Sequence, residues 1–302
     1  MTYDAIIVGG SYAGLSAAMP LGRARKRVLI IDAEQRRNRF ATAAHGFLGQ
    51  DGRPPGDIVR DARAEVAAYP TVSFIDGSAT AATPVDTGFA ITLADGTMHA
   101  AARLILATGV VDELPALPGL REQWGTGVAL CPYCHGYEVA GGRLGVLALL
   151  PMPAHHALLI REWGDVTFFP NGIADPDDAE RAMLAANGVA IEEAEVAAIT
   201  GEPGQSAGIQ LRDGRTITLD AIFTGVPSRM ASAIPAALGC AFDDSPSGPI
   251  IRVDATMQTT VPGVFAAGDA ARAMSFIAGA VADGYLAGAA AHRSLVMAAH
   301  GL

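Results

Sequence analysis

The chain has little cysteine, little charge and no long uninterrupted apolar stretch. Three cysteines among 302 residues are too few for the disulfide framework of a small secreted protein. Charged residues make up 17% of the chain and hydrophobic residues 50%, which argues against a disordered or nucleic-acid-coating protein. A transmembrane helix needs about 20 consecutive apolar residues, and no stretch offers them. These absences predict a well-packed globular protein without a membrane partner.

The net charge and the first residues of the chain give further expectations about binding partners and location. Acidic residues outnumber basic ones by 31 to 21, and the resulting charge of −10 disfavours binding to nucleic-acid phosphates. The residues after Met1 show no basic region followed by a cleavable apolar stretch, so we expect a cytoplasmic location. A chain of 302 residues exceeds the usual size of one domain, which predicts two domains or one with a large insertion.

The order of apolar and helix-forming segments predicts two strand-helix-strand units. Their segments are 4–8, 15–24 and 28–31 in the first unit and 144–150, 154–161 and 166–169 in the second. Each unit is followed by a hairpin pattern, whose tight turns are Asp95-Gly96 and Asp213-Gly214. The sequence therefore predicts an α/β protein of two related halves, each a parallel unit with a small antiparallel insert.

A glycine-rich turn after the first strand has the spacing of a dinucleotide-binding motif. It comprises Gly9, Gly10, Ser11, Tyr12, Ala13 and Gly14, with Ser11 at the second glycine position. Gly9 permits the tight turn, Gly14 allows the helix to pack closely on the sheet, and a pyrophosphate would lie at the helix N terminus. Asp32 ends the next strand, where a carboxylate accepts hydrogen bonds from a ribose. The alternative is a glycine-rich turn with a surface aspartate.

Cys131 and Cys134 form a Cys-Pro-Tyr-Cys motif. A helix starting there would expose Cys131 at its first turn, where amide dipoles stabilise the thiolate that carries out disulfide exchange. A zinc site would need two further ligands, and Cys240 stands alone. The motif therefore predicts a redox pair and no metal site, with structural thiols as the alternative.

Two other segments resemble the FAD signatures of flavoproteins with two dinucleotide-binding domains. Leu104–Gly109 resembles their Ala-Thr-Gly strand end, and Thr256–Asp269 resembles their second signature. The resemblance implies that Asp269 hydrogen-bonds the ribityl chain and that a helix over Met274–Leu286 points its first amides at the flavin. Without the resemblance, Gly268-Asp269 is only a turn. The residues thus expected to bind FAD are Gly9, Ser11, Tyr12, Ala13, Gly14, Asp32, Ala107, Thr108, Gly109, Gly268, Asp269, Phe276 and Ile277.

With FAD signatures on both sides of the cysteine pair, nearly the whole chain resembles the low-molecular-weight thioredoxin reductase family. The resemblance implies two Rossmann-like domains, the second inserted in the first. The FAD domain would comprise residues 1–113 and 247–302, and an NADPH-domain-like unit residues 114–246. It also implies a homodimer in which Cys134 exchanges electrons with the flavin and Cys131 with the substrate sulfur.

His135 departs from the reductase pattern, which has aspartate after the second cysteine. Histidine is the better base near neutral pH and suits removal of a proton from an incoming dithiol. The run from Cys131 to Glu138 resembles the FAD-dependent dithiol oxidases that close disulfides in gliotoxin-, holomycin- and romidepsin-type products. The alternative is that His135 only hydrogen-bonds a backbone group.

The second nucleotide turn lacks the features that NADPH binding needs. Leu149–Ala154 stands where glycines belong, and Pro151 and Pro153 have no N–H to donate to a phosphate. Phe168–Gly172 stands where the family has paired arginines. We therefore predict that NADPH is not used.

The combined prediction is an FAD-dependent dithiol oxidase with oxygen as acceptor. Its partner would be a small dithiol or disulfide, a peptide or a thioredoxin-like protein. One alternative is a disulfide reductase fed by NADPH or by a protein donor such as ferredoxin; another is a flavin redox sensor without turnover. The segment His45–Gln50 is, by resemblance, a candidate substrate loop near the flavin, and otherwise an ordinary surface loop.

Overall fold

The computed structural model describes residues 2–151 and 154–302. The strands are β1 (Thr2–Val8), β2 (Val28–Asp32), β3 (Val72–Asp76), β4 (Ala79–Val85), β5 (Gly88–Leu93), β6 (Met98–Leu106), β7 (Val110–Asp112), β8 (Val128–Ala129), β9 (Gly142–Leu147), β10 (Gly164–Phe169), β11 (Ala190–Ile191), β12 (Val196–Thr200), β13 (Ala207–Leu211), β14 (Thr216–Leu219), β15 (Ala221–Phe223), β16 (Ser228–Met230), β17 (Phe242–Asp243), β18 (Ile250–Ile251) and β19 (Val264–Ala266). The α-helices are α1 (Tyr12–Arg23), α2 (Pro55–Ala67), α3 (Leu120–Gln123), α4 (Pro132–His135), α5 (His155–Ile160), α6 (Asp178–Ala186), α7 (Ile234–Ala237) and α8 (Ile277–Ala299). Short 3₁₀ helices cover Arg37–Phe40, Tyr137–Val139 and Gly268–Ala271.

The first sheet has the strand order β3-β2-β1-β6-β5-β4, and β19 pairs with β6. Strands β1, β2, β3, β6 and β19 run parallel, and β4 and β5 form the antiparallel insert. Because side chains alternate along a strand, Ile7 and Ile30 enter the core beside α1 and α8, whereas Ile6 and Ile31 enter the core on the other face. Layers on both faces explain why every residue of β2 is buried.

The second sheet, β11-β10-β9-β15-β8, is parallel throughout, and α5 connects β9 to β10. Strands β12, β13 and β14 form its antiparallel companion. The expected hairpins are confirmed, since Asp95-Gly96 lies between β5 and β6 and Asp213-Gly214 between β13 and β14. Both strand-helix-strand units are present as well, so the α/β prediction is correct.

The last helix differs from the sequence prediction. Helix α8 begins at Ile277 and ends at Ala299, whereas the predicted helix covered Met274–Leu286. The start is later because Phe276 has extended backbone (φ −158°, ψ 150°) and precedes the first helical residue. The end is later because the alanine-rich continuation favours helix, and Gly284 and Gly288 allow α8 to approach α1 closely. The first turn of α8 therefore begins at residue 277.

Two short strands connect the halves of the molecule. Strand β7 follows the first sheet, and it pairs antiparallel with β16, which follows the second. The segment that carries Cys131 and Cys134 lies between these strands in sequence, just after β8. Within residues 2–151 and 154–302, no helix has both the length and the apolar character that crossing a bilayer requires.

Candidate active site

Two adjoining cavities contain most of the predicted site residues. We name the first, of about 260 Å³, the cysteine cavity, because Cys131, Cys134 and His135 line it. The second, of about 450 Å³, is the turn cavity, lined by Gly9 and Asp32 among others. Residues that border both cavities are Ser11, Gln35, Arg36, Arg37, Phe40, Ala107, Thr108, Val110, Asp112 and Trp124. The two cavities therefore share a wall between the glycine-rich turn and the cysteine pair.

The glycine-rich turn has the close contacts that its sequence predicted. Gly9 has φ of +108°, a value that favours glycine, and a Cβ there would lie 2.1 Å from the Ala107 carbonyl oxygen. A Cβ on Gly14 would lie 1.8 Å from the Gly9 carbonyl oxygen. Ser11 stands at the N-cap of α1, and its side chain does not cap the helix. The first turn of α1 thus borders the cysteine cavity with Tyr12 and Ala13.

Asp32 lies against this turn at the end of β2. It is only 9% exposed, which contradicts the alternative of a surface aspartate. A Cβ on Gly10 would lie 2.7 Å from the Asp32 Cβ, so glycine is required for this approach. The Glu34 N–H donates to Asp32 Oδ1 at 3.2 Å, and Asp32 lines the turn cavity. Asp32 is therefore held in the wall of the turn cavity beside the glycine-rich turn.

Several buried polar atoms test whether the cavities fit FAD. Within the described part of the chain, Arg36 Nε, Asn38 Oδ1 and Thr108 Oγ1 are buried and have no hydrogen-bond partner. Leaving such atoms unpaired costs free energy, so native proteins almost always satisfy them. All three residues border the cysteine cavity, and the ribityl hydroxyls and phosphates of FAD could supply the missing partners. The lining residues fit this cofactor.

Arg37 joins two carboxylates beside the cysteine cavity, and the sequence analysis did not identify it. Its guanidinium donates to Asp112, with Nη2 to Oδ1 at 2.5 Å, and Nη1 donates to Asp269 Oδ2 at 3.0 Å and to Ser275 Oγ at 2.8 Å. Burial opposes a charge at Arg37, but Asp112 and Asp269 raise its pKa above the usual value. Asp269, the predicted ribityl ligand, is thus oriented by a charged partner.

The cysteine motif forms a disulfide at the edge of the cavity. Cys131 and Cys134 are bonded, with their Cα atoms 5.3 Å apart, and both are half-buried. Cys131 is the N-cap of α4 as predicted, but α4 has only four residues and ends at His135. One turn has a small summed dipole, so the helix contributes less to a thiolate at Cys131 than the sequence suggested. Tyr133, between the cysteines, is exposed and packs edge-on against Trp163.

His135 lines the cysteine cavity and is suited to accept a proton. Burial lowers its pKa, while the backbone of Cys131 and the charge of Glu138 act in the opposite direction and His45 adds to the lowering. The imidazole is therefore neutral near pH 7. Its Nδ1 atom is buried and has no hydrogen-bond partner among the described residues. A neutral imidazole has one ring nitrogen that can accept a proton.

The region of the predicted missing nucleotide site is occupied by internal packing. Leu150 packs beside Gly225, and Met152 and Pro153 lie outside the described residues. Where paired arginines would stand, Phe168 and Phe169 are fully buried. Asn171 Nδ2 donates to the Ala148 carbonyl at 3.3 Å, and its Oδ1 accepts from the Val196 N–H at 2.9 Å. Asn171 and the two phenylalanines are therefore engaged within the protein.

The structure brings together nearly all the predicted site residues. Those that border one of the two cavities are Gly9, Ser11, Tyr12, Ala13, Asp32, Ala107, Thr108, Gly109, Cys131, Cys134, His135, Gly268, Asp269, Phe276 and Ile277. Gly14 does not border them and instead packs on Gly9.

Of the candidate loop, His45 and Gly46 border the cysteine cavity, whereas Leu48 is 97% exposed. The arginine-rich run after Asp32 was the available signal for Arg36 and Arg37, because it follows a strand end beside the turn.

Known proteins share this architecture along the whole chain. The family model described as pyridine nucleotide-disulphide oxidoreductase matches residues 3–146 and 173–284. Thioredoxin reductase tcpT of Claviceps purpurea (strain 20.1) is 29% identical over 97% of this chain and 94% of its own. The structure of an oxidoreductase from Agrobacterium tumefaciens is 49% identical, with a TM-score of 0.94, over 98% of this chain and 99% of that one. The crystal structure of HlmI is 33% identical in sequence, with a TM-score of 0.91, and the match covers 99% of this chain and 94% of that one.

These matches agree with the geometry of the two cavities. The glycine-rich turn, the buried Asp32 and the disulfide beside His135 are the parts that a flavoprotein acting on sulfur groups requires. The α/β fold has two Rossmann-like domains, the second inserted in the first, and FAD is the cofactor of the family. The chain therefore belongs to the pyridine nucleotide-disulphide oxidoreductase family, as a thioredoxin reductase-like, FAD-binding oxidoreductase that acts on sulfur groups.

Proposed function

We propose that this protein is a dithiol oxidase that closes a disulfide in a small molecule or peptide without using NADPH. The main support for this proposal is that the Cys131–Cys134 disulfide and His135 line the same cavity as the strand-end residues expected to bind FAD. An oxidised pair in that position is ready to accept electrons from a dithiol. When bound, FAD supplies the two-electron acceptor that reoxidises the pair and passes the electrons on to oxygen.

The chemistry follows from ordinary thiol-disulfide exchange. A substrate thiolate attacks the sulfur of Cys131, forming a mixed disulfide and releasing Cys134 as a thiolate. The second substrate thiolate then attacks the substrate sulfur in the mixed disulfide, so the product disulfide forms and Cys131 is released. Two electrons have moved to the cysteine pair, and two protons have left the substrate. His135, whose pKa is lowered by partial burial, accepts a proton from the attacking thiol.

The region around Leu149–Gly172 supports the direction of electron flow. A reductase of this architecture needs a second nucleotide turn with open backbone N–H groups. Pro151 has none, and Asn171 is engaged with Ala148 and Val196. Neither cavity is lined by residues of this region. Electrons are therefore proposed to enter from the substrate dithiol.

Oxygen consumption with dithiothreitol as a model dithiol tests the proposal. We expect steady oxygen uptake by the FAD-loaded protein, its loss in Cys134→Ser, and normal uptake in Cys240→Ser. Cys240 is the matched control, since it is buried and its thiol contacts Thr259. Absence of uptake in the unchanged protein, or unchanged uptake in Cys134→Ser, would overturn the proposal.

The second candidate is a disulfide reductase, which the names of the relatives favour, because several are called thioredoxin reductases. In a disulfide reductase, electrons pass from NADPH or a protein donor through FAD to the cysteine pair. It requires reduction of the flavin by a donor other than the dithiol. Anaerobic mixing with NADPH separates the two candidates.

A further inference from the structure

Trp163 contacts the segment that carries the cysteine pair at three points. Its ring meets the Tyr133 ring edge-on, with the ring centres 5.5 Å apart and the ring planes at 89°. A Cβ on Gly136 would lie 2.9 Å from Cδ1 and Cδ2 of the indole, so glycine allows the turn after α4 to approach the indole this closely. The Gly141 N–H donates to the Trp163 carbonyl at 2.7 Å. The contacts therefore extend from the residue between the two cysteines to the end of the segment that follows them.

Trp163 is itself held by the second half of the molecule. It lies between α5 and β10, and its N–H donates to the Ile160 carbonyl at 3.0 Å. Its side chain is half-buried and packs against the core cluster that contains Ile160 and Val166. Strand β10, which begins at the next residue, pairs along its whole length with β9. The indole is therefore attached to a packed sheet.

Helix α4 has little support of its own. It has four residues, and the Gly136 N–H closes its single turn by donating to the Pro132 carbonyl at 2.7 Å. One turn is too short to be stable by itself, because the cost of ordering the first turn exceeds the gain from one hydrogen bond. The place of Cys134 therefore depends on what α4 packs against. Trp163 contacts the residues on both sides of this cysteine, at Tyr133 and Gly136.

We propose that Trp163 is a positioning residue that holds the Cys131–Cys134 pair at the edge of the cysteine cavity. This inference rests on the proposed exchange of electrons between the pair and FAD, and it applies to either direction of electron flow. Trp163 acts through Tyr133 and Gly136, since it is not among the described residues that line the two cavities. The connection between α5 and β10 thus serves the cysteine pair.

The first test is the limiting rate at which saturating dithiothreitol reduces the flavin of the FAD-loaded protein in anaerobic stopped-flow experiments. We expect Trp163→Ala to lower this rate by about tenfold or more, because a misplacement of about 1 Å can cost on the order of 100-fold in rate. Trp163→Phe keeps an aromatic ring for Tyr133 and should retain most of the rate.

Leu184→Ala is the matched control for a general loss of packing. Leu184 lies on α6, is fully buried and belongs to the core cluster against which Trp163 packs. Its truncation leaves a cavity in that core and should destabilise the protein. The limiting rate of flavin reduction should nevertheless equal that of the unchanged protein.

The second test is the equilibrium between the cysteine pair and a glutathione redox buffer, measured on the FAD-free protein in a Cys240→Ser background. A loosened turn lowers the effective concentration of one thiol at the other, so Trp163→Ala should close the disulfide less readily, by about threefold or more. Trp163→Phe and Leu184→Ala should resemble the unchanged protein. This equilibrium involves neither flavin nor turnover.

The inference requires both effects of Trp163→Ala. An unchanged limiting rate or an unchanged glutathione equilibrium overturns it, and so does a loss of rate that Leu184→Ala or Trp163→Phe shows in full. If dithiothreitol fails to reduce the flavin of the unchanged protein, the proposed function fails. The glutathione equilibrium then decides by itself whether Trp163 holds the cysteine pair.

Discussion

Single-cysteine variants provide a test of the asymmetry between Cys131 and Cys134. In the proposed arrangement Cys134 faces FAD and Cys131 faces the substrate. Cys134→Ser should therefore react readily with an aromatic disulfide reagent through Cys131, and Cys131→Ser should react at least tenfold more slowly, a difference that access to the thiolate controls. The measurement is the release of the coloured thiolate from the FAD-loaded proteins. Both variants are made in a Cys240→Ser background, and equal rates would contradict the assigned roles.

His135 should determine the pH dependence of dithiol oxidation. Burial lowers its pKa below the usual value of about 6.5, so the neutral base persists at mildly acidic pH. The rate of flavin reduction by dithiol should therefore hold below that pH and fall as pH drops through the lowered pKa. His135→Asn cannot accept the proton and should lower the rate by about 100-fold near pH 7. An unchanged pH-rate profile in His135→Asn would show that another group is the base.

At the residue scale, the sequence could predict side chains whose neighbours in sequence define their role. The cysteine pair, His135 and Asp32 belong to short motifs at recognisable strand ends. Arg37 does not, because its partners Asp112 and Asp269 are 75 and 232 residues away. Only the fold brings these carboxylates to one guanidinium. The contact between Tyr133 and Trp163 escaped prediction for the same reason.

At the element scale, the strands and turns were easier to predict than the ends of helices. Alternating apolar residues and Asp-Gly turns indicate strands and hairpins through local chemistry. The predicted end of α8 was wrong, because the helix continues to Ala299 and packs Gly284 and Gly288 against α1. A contact between helices far apart in the chain has no local signal. Helix α4 was predicted to begin correctly, but its single turn could not be foreseen.

The contact between α1 and α8 gives a prediction for stability. A Cβ on Gly284 would lie 2.1 Å from the Ala13 carbonyl oxygen, so Gly284→Ala forces the helices apart. We expect the free energy of unfolding to fall by about 1–3 kcal/mol, as in overpacked cores, despite a gain of about 1 kcal/mol in helix propensity. Chemical denaturation followed by circular dichroism measures the change.

The exposed position Ala282 supplies the matched control for this helix. Ala282→Gly alters only helix propensity and should cost about 1 kcal/mol. Displacement of α1 should also lower the FAD content of Gly284→Ala, because the first turn of α1 borders the cysteine cavity. A stabilised Gly284→Ala protein would show that the close approach of the two helices is not required.

At the scale of the whole molecule, the second half is proposed to act as a carrier for the cysteine pair. It keeps the strand-helix-strand order of a nucleotide-binding unit, and its strand ends are used for internal packing. The pairing of β7 with β16 secures the connection to the first half. Within the first half, Arg37 holds the end of β7 through Asp112. The sequence predicted two halves, but their relative placement depends on these long-range contacts. That placement is what brings the disulfide to the cysteine cavity.

The direction of electron flow is the central claim, and anaerobic stopped-flow mixing tests it most directly. The oxidised, FAD-loaded protein is mixed with dithiothreitol in one experiment and with NADPH in another, and flavin absorbance is followed. We predict that the dithiol bleaches the flavin rapidly and that micromolar NADPH leaves it oxidised. Rapid bleaching by NADPH, with little or none by the dithiol, would contradict the account and identify a reductase.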